Sequence, residues 1–392
     1  MADDALRVLM IAPTPYFADR GCHVRIYEEA RALTKLGHEV CIVTYHLGRD
    51  MPGVRVVRTP QVPWYNKLEA GPSWHKPYLD ALLLWKTYSE IRTFRPHLLH
   101  AHLHEGTLIG SLLHRIFHLP LLFDYQGSLS GESLNHGFFR ESSPLKKIFA
   151  RLERCIDHRA DLIIASSEQG RQELIRDWDV DPGKAATLID GVDTEQFRPH
   201  SQSEARRELG IPADVKLVVY LGLFNRYQGV DLLLAAISLI RAKDPDIRFL
   251  LMGFPDEEYR VKACDMGIAD VITFTGRVPY DRAPFFLSAG DLAVSPKLAL
   301  TEANGKLFNY IACGLPTVVF DNQINREILG DDGMYVEHGN TSLFADTVLA
   351  AIHNAELLKS LSGRLRERAV KEHSWNARSQ QLVSVYRRLL AS

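Results

Sequence analysis

The sequence predicts an α/β protein built from two doubly wound parallel sheets. Three observations carry that expectation. Short apolar runs rich in Val, Ile and Leu alternate with segments of helical period, the pattern of parallel strands covered on both faces. The alternation runs through twice, with a polar, proline-containing stretch between the two sets. Finally, 392 residues exceed what one ordinary core organises.

The elements follow in order. "LRVLMIAP" reads as a buried strand, "HVRIYEEARALTKLG" as a helix ending at Gly37, and "HEVCIVTYH" as the next strand. "HLLHAHL", "LPLLFDYQG", "ADLIIASS" and "AATLIDG" continue the set, with helical stretches between most of them. The run "GVDTEQFRPHSQSEARREL", with Pro199, marks a boundary. "KLVVYLGLF", the helix "GVDLLLAAISLIRA", "IRFLLMG", "DVITFTG", "LAVSP" and "PTVVFD" then repeat the scheme. A first domain is therefore expected over residues 1–196 and a second over 197–375. The closing segment, 376–392, carries a helix expected to pack back on the first domain. Ligands of open α/β sheets bind beyond the carboxyl ends of the strands, so two such sheets facing each other would enclose a deep cleft.

A hydrophobic content of 46% with 24% charged residues fits a folded globular chain. The net charge of −2 gives no general attraction for nucleic acid or anionic lipid. Cys22, Cys41, Cys155, Cys264 and Cys313 are odd in number and lack a CxxC pair, which suits reduced thiols in a cytoplasm rather than disulfides or a zinc site. The start "MADDALRVLMIAPTPYF" lacks the basic flank of a signal peptide, and no window approaches the eighteen or so apolar residues of a membrane span. A cytoplasmic protein is expected, resting at most on the inner face of a membrane.

The loops after strands hold the candidate chemistry. In "SPKLALTEANGKLFNYIACGLPTVVFD" a strand is followed by the loop Thr301 to Gly305 and a helix that opens on Lys306 and stops at Gly314. Unpaired backbone amides and a cation at one helix start suit an anion. Ala303 and Gly305 leave room for close approach, and Asn309 shares a face with Lys306. That pair suits a diphosphate and a ribose hydroxyl; a surface lysine over a capping loop is the competing reading. In "YLGLFNRYQGVDLLLAA" Gly222 and Gly229 flank Arg226, whose fork of donors fits phosphate. The spacing is not a dinucleotide fingerprint, and a plain turn serves equally well. In "APTPYFADRGCHVRIYEEA" Arg20 and Gly21 stand at a helix start, where a purely structural turn is the simpler account.

Three further signals are weighed. His100, His102 and His104 fall on one face of an expected strand, but no carboxylate-rich motif accompanies them and no metal site is expected. Asp177-Trp178-Asp179 reads as a solvated turn. "SPLKKIFARLERCIDHRAD" places Lys146, Lys147, Arg151 and Arg154 among Leu145, Ile148, Phe149 and Leu152. Such a helix suits anionic lipid, with a half-buried helix and solvated basic face as the alternative.

Taken in their order, these segments resemble the retaining nucleotide-sugar glycosyltransferases of the GT-B fold, family 4. The resemblance covers nearly the whole chain. It is most specific at "GVDTEQFRP" (Gly191 to Pro199) and "KLFNYIACGLP" (Lys306 to Pro316). It implies two Rossmann-like domains and a nucleotide diphosphate sugar as co-substrate, a UDP-sugar first and GDP-mannose second. It also implies a glycan or lipid-linked acceptor, no essential metal or other cofactor, and no nucleic acid partner. Gly21 would lie against the donor phosphates, and Lys306 would be the phosphate lysine. The loop of Thr301, Glu302 and the amides of Ala303, Asn304 and Gly305 would meet the donor sugar or its phosphate. Gly222 and Arg226 would border the donor, Arg277 falls in the loop whose backbone usually meets the base, and Asp124 and Gln126 would lie near the donor sugar or acceptor.

The chain also departs from the family pattern. Leu223 and Gln228 stand where common members carry Arg and Lys. Thr301 and Asn309 replace the paired glutamates, with Glu302 one place away, and Gln126 replaces a His. The pattern is that of a divergent subfamily. Retaining transfer on one face needs no protein nucleophile, so stabilising the departing diphosphate is the main demand. A nucleotide-sugar epimerase or sugar phosphorylase of the same architecture is one rival reading. A binding protein that kept the cleft and lost turnover is the other.

Overall fold

The computed structural model describes residues 5–18, 21–68, 75–135, 142–300 and 303–391. The chain opens with β1 (Arg7–Ala12), α1 (Gly21–Lys35), β2 (Glu39–Thr44), β3 (Arg55–Arg58), α2 (Lys76–Phe94), β4 (Leu98–His102) and α3 (Leu103–Phe117). It continues with β5 (Leu121–Tyr125), α4 (Leu129–Asn135), α5 (Pro144–Asp157), β6 (Leu162–Ala165), α6 (Glu168–Arg176) and β7 (Ala185–Thr187). Then come α7 (Gln202–Glu208), β8 (Leu217–Leu221), α8 (Val230–Lys243), β9 (Arg248–Met252), α9 (Glu257–Asp265), β10 (Ile272–Gly276), α10 (Ala283–Leu287) and β11 (Leu292–Ser295). The last elements are α11 (Lys306–Ala312), β12 (Thr317–Phe320), α12 (Gln323–Leu329), β13 (Met334–Val336), α13 (Thr341–Ile352), α14 (Ala355–Glu372) and α15 (Trp375–Ala391).

Two compact units result: Met1–Gly191 with Thr301–Ala303 and Trp375–Ser392, and Val192–Leu300 with Asn304–Ser374. The first holds a seven-stranded sheet in the order β3-β2-β1-β4-β5-β6-β7, the second a six-stranded sheet in the order β10-β9-β8-β11-β12-β13. Every strand pair is parallel, which fits strands that read as unbroken apolar runs. The edge strands β3 (RVVR) and β13 (MYV) are additions to the strands expected from the sequence. Both are short, and β3 carries an arginine at each end, so neither shows a continuous apolar signature.

In the first unit Leu9, Ile11, Leu99, Ala101, Leu121 and Phe123 pack with Leu79, Leu83, Ile109 and Leu113 of the covering helices. In the second, Val218, Tyr220, Phe249, Leu251, Leu292 and Val294 pack with Leu233, Ile237, Phe344 and Val348. Burying each such large apolar side chain stabilises by about 1.5–3 kcal/mol, before the entropy of ordering the chain is charged. Within the first unit α15 packs along α1, and Tyr386 Oη forms a 2.8 Å hydrogen bond with His100 Nδ1. Side-chain caps set several helix starts: Ser167 Oγ accepts from Gly170 N at 3.0 Å, and Asn322 Oδ1 from Asn325 N at 2.8 Å.

Each sheet has a topological switch point. In the first unit β1 lies between β2 and β4; in the second β8 lies between β9 and β11. Crossovers leave in opposite directions there, which opens a crevice beyond the strand ends. Most of the candidate residues that the structure describes lie at these two places.

Candidate functional site

In the second unit, glycines carry the backbone ladder past the ends of three adjacent strands. Gly222 N donates to Met252 O at 2.9 Å, Gly253 N to Gly276 O at 3.0 Å, and Phe224 N to Phe254 O at 2.9 Å. A Cβ on Gly253 would lie 1.9 Å from Gly222 O, so only glycine permits this approach.

Lys306, the first residue of α11, reaches across the switch point from the β11 side to the β8 side. A Cβ on Gly222 would come within 2.8 Å of its Cε. Its ammonium donates to Gln228 Oε1 and lies 5.2 Å from the Tyr220 ring centroid. One turn further on, Tyr310 Oη accepts from Leu221 N at 2.7 Å and fixes the helix to the end of β8. The loops after β8 and β11 are joined as well. Leu298 N donates to Tyr227 O at 2.9 Å, and Gly229, at φ 76°, leaves a Cβ position only 1.8 Å from Pro296 O.

Asn304 braces this arrangement from within. Its buried Nδ2 donates to Ser295 Oγ at 3.1 Å and to Asn325 Oδ1 at 2.9 Å, and Asn325 Nδ2 donates to Phe320 O at 2.7 Å. Asn309 is half-buried on α11, and Ala303 and Gly305 are half-buried before it. Arg226 is exposed in the β8–α8 turn, where its carbonyl accepts from Gly229 N at 3.0 Å. Arg277 follows β10, three strands along the sheet from β11; its guanidinium stacks 3.8 Å from the Phe254 ring centroid. Arg20, Thr301 and Glu302 lie outside the described residues. Gly21 opens α1 in the first unit, and a Cβ there would meet nothing within 4 Å.

At the switch point of the first unit the structure brings Asp124 and Gln126 together with residues that no sequence motif singles out. Asp124 lies on β5 beside His102 of β4, its partner in register. Arg25, from the second turn of α1, donates through Nε and Nη2 to Asp124 Oδ1 at 3.0 and 2.8 Å. It also donates to Leu188 O at 3.1 Å and to Asp190 Oδ1, and lies 3.2 Å from Glu29. His102 Nδ1 meets Asp124 Oδ2 at 2.8 Å, and Gln126 Nε2 donates to the same oxygen at 2.7 Å. The His100 and His102 rings lie 4.3 Å apart. Asp124 is thus fully buried, with both oxygens engaged, and its Oδ2 holds both His102 and Gln126.

The electrostatics follow from burial and pairing. Burial opposes charge on both Arg25 and Asp124, but their mutual attraction outweighs it. Arg25 is held well above its ordinary value, and Asp124, also bonded by His102, well below the usual carboxylate range. Glu29, in the same cluster, is pushed up by burial despite Arg25, and His100 is pushed down by burial and by His102. The core of the cluster is the buried Arg25–Asp124 ion pair. Glu29, His100, His102 and Asp124 have ligand atoms close enough for a metal ion, but the Arg25 guanidinium already lies 3.2 Å from Glu29 and 2.8 Å from Asp124.

The structure corrects the reading of the three histidines. His100 and His102 end β4, but His104 lies on α3, packed against α5. The chain turns at Leu103, whose φ of 62° breaks the strand alternation assumed for "HLLHAHLHEG". Asp177 and Asp179 pair with the exposed Arg176 and Arg154.

Residues 20–191 match the family model described as "Glycosyl transferase 4-like domain", and residues 215–354 match "Glycosyl transferases group 1". The chain belongs to the family 4 glycosyltransferases of GT-B fold. A D-inositol 3-phosphate glycosyltransferase from Thermobispora bispora is 26% identical over 390 residues, covering 93% of this chain and 89% of the relative. A second enzyme of that name, from Catenulispora acidiphila, is 27% identical and covers 94% and 90%. Among solved structures, sucrose-phosphate synthase from Thermosynechococcus elongatus superposes with a TM-score of 0.82 at 21% identity, covering 98% of this chain and 99% of that one. Anabaena HepE in complex with UDP-glucose gives 0.79 at 16% identity, covering 97% and 99%. These two likenesses concern the fold. Against the family pattern, Gln228 replaces a lysine, and in this glycosyltransferase its amide oxygen receives the ammonium of Lys306.

Proposed function

We propose that this glycosyltransferase moves a sugar from a nucleotide diphosphate donor to a glycan or lipid-linked acceptor with retention at the anomeric carbon. UDP-sugars are the favoured donors and GDP-mannose the second choice. The second unit takes the donor and the first unit the acceptor. One observation carries the reading: an ammonium poised over a glycine floor at the β8/β11 switch point, where a diphosphate can approach the backbone. Lys306 neutralises charge that develops on the departing phosphate, and that phosphate takes the acceptor proton, so no protein nucleophile and no essential metal is required. Gly222, the amides of Ala303 to Gly305, and the loop residues Thr301 and Glu302 line the donor. Asn309 meets the ribose, Arg226 adds charge, and Arg277 on Phe254 offers a flat face to the base. Gly21 and Arg20 are proposed as phosphate contacts, and Gln126, oriented by Asp124, as a contact of the sugar or acceptor. The complex of Anabaena HepE, a protein of like fold, with UDP-glucose supports the choice of UDP-sugars.

The decisive experiment is a thermal-shift panel of UDP, GDP and their sugars, followed by transfer assays with anomeric analysis of the product. A donor that binds the native state raises its melting temperature. The acceptor panel includes D-inositol 3-phosphate, the compound in the relatives' name. Retained configuration in the product supports the reading; inversion sinks it. Epimerised sugar from donor alone identifies an epimerase, sugar 1-phosphate a phosphorylase, and donor binding without transfer or hydrolysis an inactive binder.

Among the described residues no helix is long and apolar enough to cross a membrane. The exposed face of α5 sets Lys147, Arg151 and Arg154 beside Ile148 (57% exposed) and Leu152, a combination suited to peripheral contact with anionic lipid. Failure to float with anionic vesicles at low salt removes that part.

A further inference from the structure

Two clusters of buried titratable side chains lie in the first unit, and they differ in one respect. The cluster around Asp124 contains its own cation, Arg25. The other, formed by His104 on α3 with Glu153 and Asp157 on α5, does not. These three residues are 3%, 0% and 1% exposed. Among the described residues, no lysine or arginine pairs with either acid.

The contacts in this cluster are those of ligands rather than of a finished hydrogen-bond network. His104 Nε2 lies 3.3 Å from Asp157 Oδ1 and 3.7 Å from Glu153 Oε1. Even so, Nε2 and both oxygens of Asp157 are buried without a hydrogen-bond partner. Such orphaned groups are costly and rare in folded proteins. Glu153 is different. Its oxygens accept from Leu129 N and Ser130 N at 3.0 Å and from Ser130 Oγ at 2.7 Å, which fixes the carboxylate and leaves lone pairs over.

Metal bonds of about 2.0–2.2 Å in a tetrahedral site put neighbouring ligand atoms about 3.3–3.6 Å apart. The two measured separations bracket that range, and one ligand atom from each residue falls within 4.8 Å of the others. Charge points the same way. A divalent ion with a neutral imidazole balances both carboxylates, whereas an imidazolium balances only one.

We propose that His104, Glu153 and Asp157 form a structural site for a divalent first-row transition ion, of which Zn2+ is the probe, tying α3 to α5. The ion holds α3 close to its start, next to the left-handed turn at Leu103 and two residues from His102. It takes no part in sugar transfer. The site does not depend on the proposed donor chemistry, and its test reads metal binding directly.

The competing arrangement is a protonated His104 resting on Asp157. Burial opposes that charge, but the carboxylate of Asp157, 3.3 Å away, outweighs it and raises the imidazole above its ordinary value. The experiment uses the full chain, stripped with chelator, dialysed and titrated with Zn2+ or Co2+. The expected result is one equivalent bound per chain, with Co2+ giving the visible bands of a tetrahedral N/O site and no thiolate charge-transfer band. At a hundredfold excess of Zn2+ over its Kd the melting temperature should rise by about 5–10 °C. Asp157→Asn and His104→Gln should each weaken binding by more than about 100-fold. Wild-type protein that binds well under a tenth of an equivalent, with a melting point indifferent to metal, overturns the proposal in favour of the imidazolium. Undiminished affinity in both variants, or a thiolate band, places the ion elsewhere and also overturns it. Should the variants not fold, wild-type stoichiometry and the Co2+ spectrum decide.

Discussion

Replacing Lys306 by alanine removes the ammonium that lies over Gly222 and leaves Gln228 Oε1 without its donor. The cost can be bounded in two ways. A unit charge about 4 Å from another is worth about 4 kcal/mol at an effective dielectric near 20. Deleting one preorganised donor from a developing oxyanion costs about 2.7–4 kcal/mol in practice. Both correspond to a loss of about 10²–10³-fold in turnover. Leu223 and Gln228 stand where common family members carry cations, so neither can share the load. The assay is steady-state transfer with the donor that stabilises the protein best. kcat should fall more than KM rises, because the charge is greater in the transition state than in the bound donor. Lys306 is half-buried at a helix start, outside the apolar core, so the melting point should move by no more than about 2 °C. A second substitution sharpens the test. The end of Gln228 touches the ammonium, so a lysine at 228 would set its own ammonium near the same point. Lys306→Ala with Gln228→Lys should recover about tenfold of the lost rate, about 1.4 kcal/mol. Unchanged kinetics in Lys306→Ala would refute the phosphate role outright. A loss without recovery in the double variant would refute the claim that position, rather than helix integrity, is what the lysine supplies.

Three further outcomes test the framework around the site. Arg25→Met leaves Asp124 buried without its cation, which should cost about 3–5 kcal/mol and lower the melting point by about 6–20 °C, read by calorimetry. Gly229→Ala must fit a Cβ into a left-handed residue 1.8 Å from the Pro296 carbonyl oxygen. It should lose more than about 4 kcal/mol in a urea titration, whereas Gly305→Ala, with open space at its Cβ, should change stability by less than about 1 kcal/mol. The carboxyl of Asp80 is pushed from its ordinary 3.8 up to about 6 by burial and by Glu105, against Tyr45 and Lys76. The folded state then holds the proton more tightly than the unfolded chain, so stability falls as pH rises through that window and the loss is complete above it. Asp80→Asn should match wild type in melting temperature near the bottom of the window and exceed it at neutral pH; parallel curves at every pH would show that the carboxyl titrates normally.

The fold was legible because parallel strands covered on both faces need apolar runs, and β1, β2, β8, β9 and β12 all supply them. The edges were less legible. β13 spans three residues, and β3 mixes two valines with two arginines, so their strand character comes from pairing with β12 and β2 rather than from their own pattern. The setting of Lys306 was legible in part. A cation after a small, polar loop that follows a strand is a local signal. Its contacts with Gly222 and Gln228 are not, because they join segments about eighty residues apart.

The buried Arg25 shows where local reading stops. In "HVRIYEEARALTKLG" the pair Arg25 and Glu29 has the i, i+4 spacing of an ordinary surface ion pair, and both residues adjoin the apolar stripe of Ile26, Ala30 and Leu33. What decides burial is the company each keeps across the fold. Asp124 is 99 residues from Arg25, Asp190 is 165 away, and Tyr386, which occupies His100, lies 286 residues from it. A helix cannot announce that its polar edge will be covered by a strand end and by the last helix of the chain. Burying such groups is costly unless each finds a partner, so a sequence that retains Arg25, Asp124, His102 and Asp190 together spends stability to hold one geometry. That geometry fixes Gln126 at the end of β5, where common family members carry a histidine. If Gln126 serves the acceptor, Asp124→Asn should, besides destabilising the unit by taking the counter-ion from Arg25, raise KM for the acceptor while donor-induced thermal stabilisation stays as in wild type. Equal losses toward donor and acceptor would instead mean that the network merely holds the unit together.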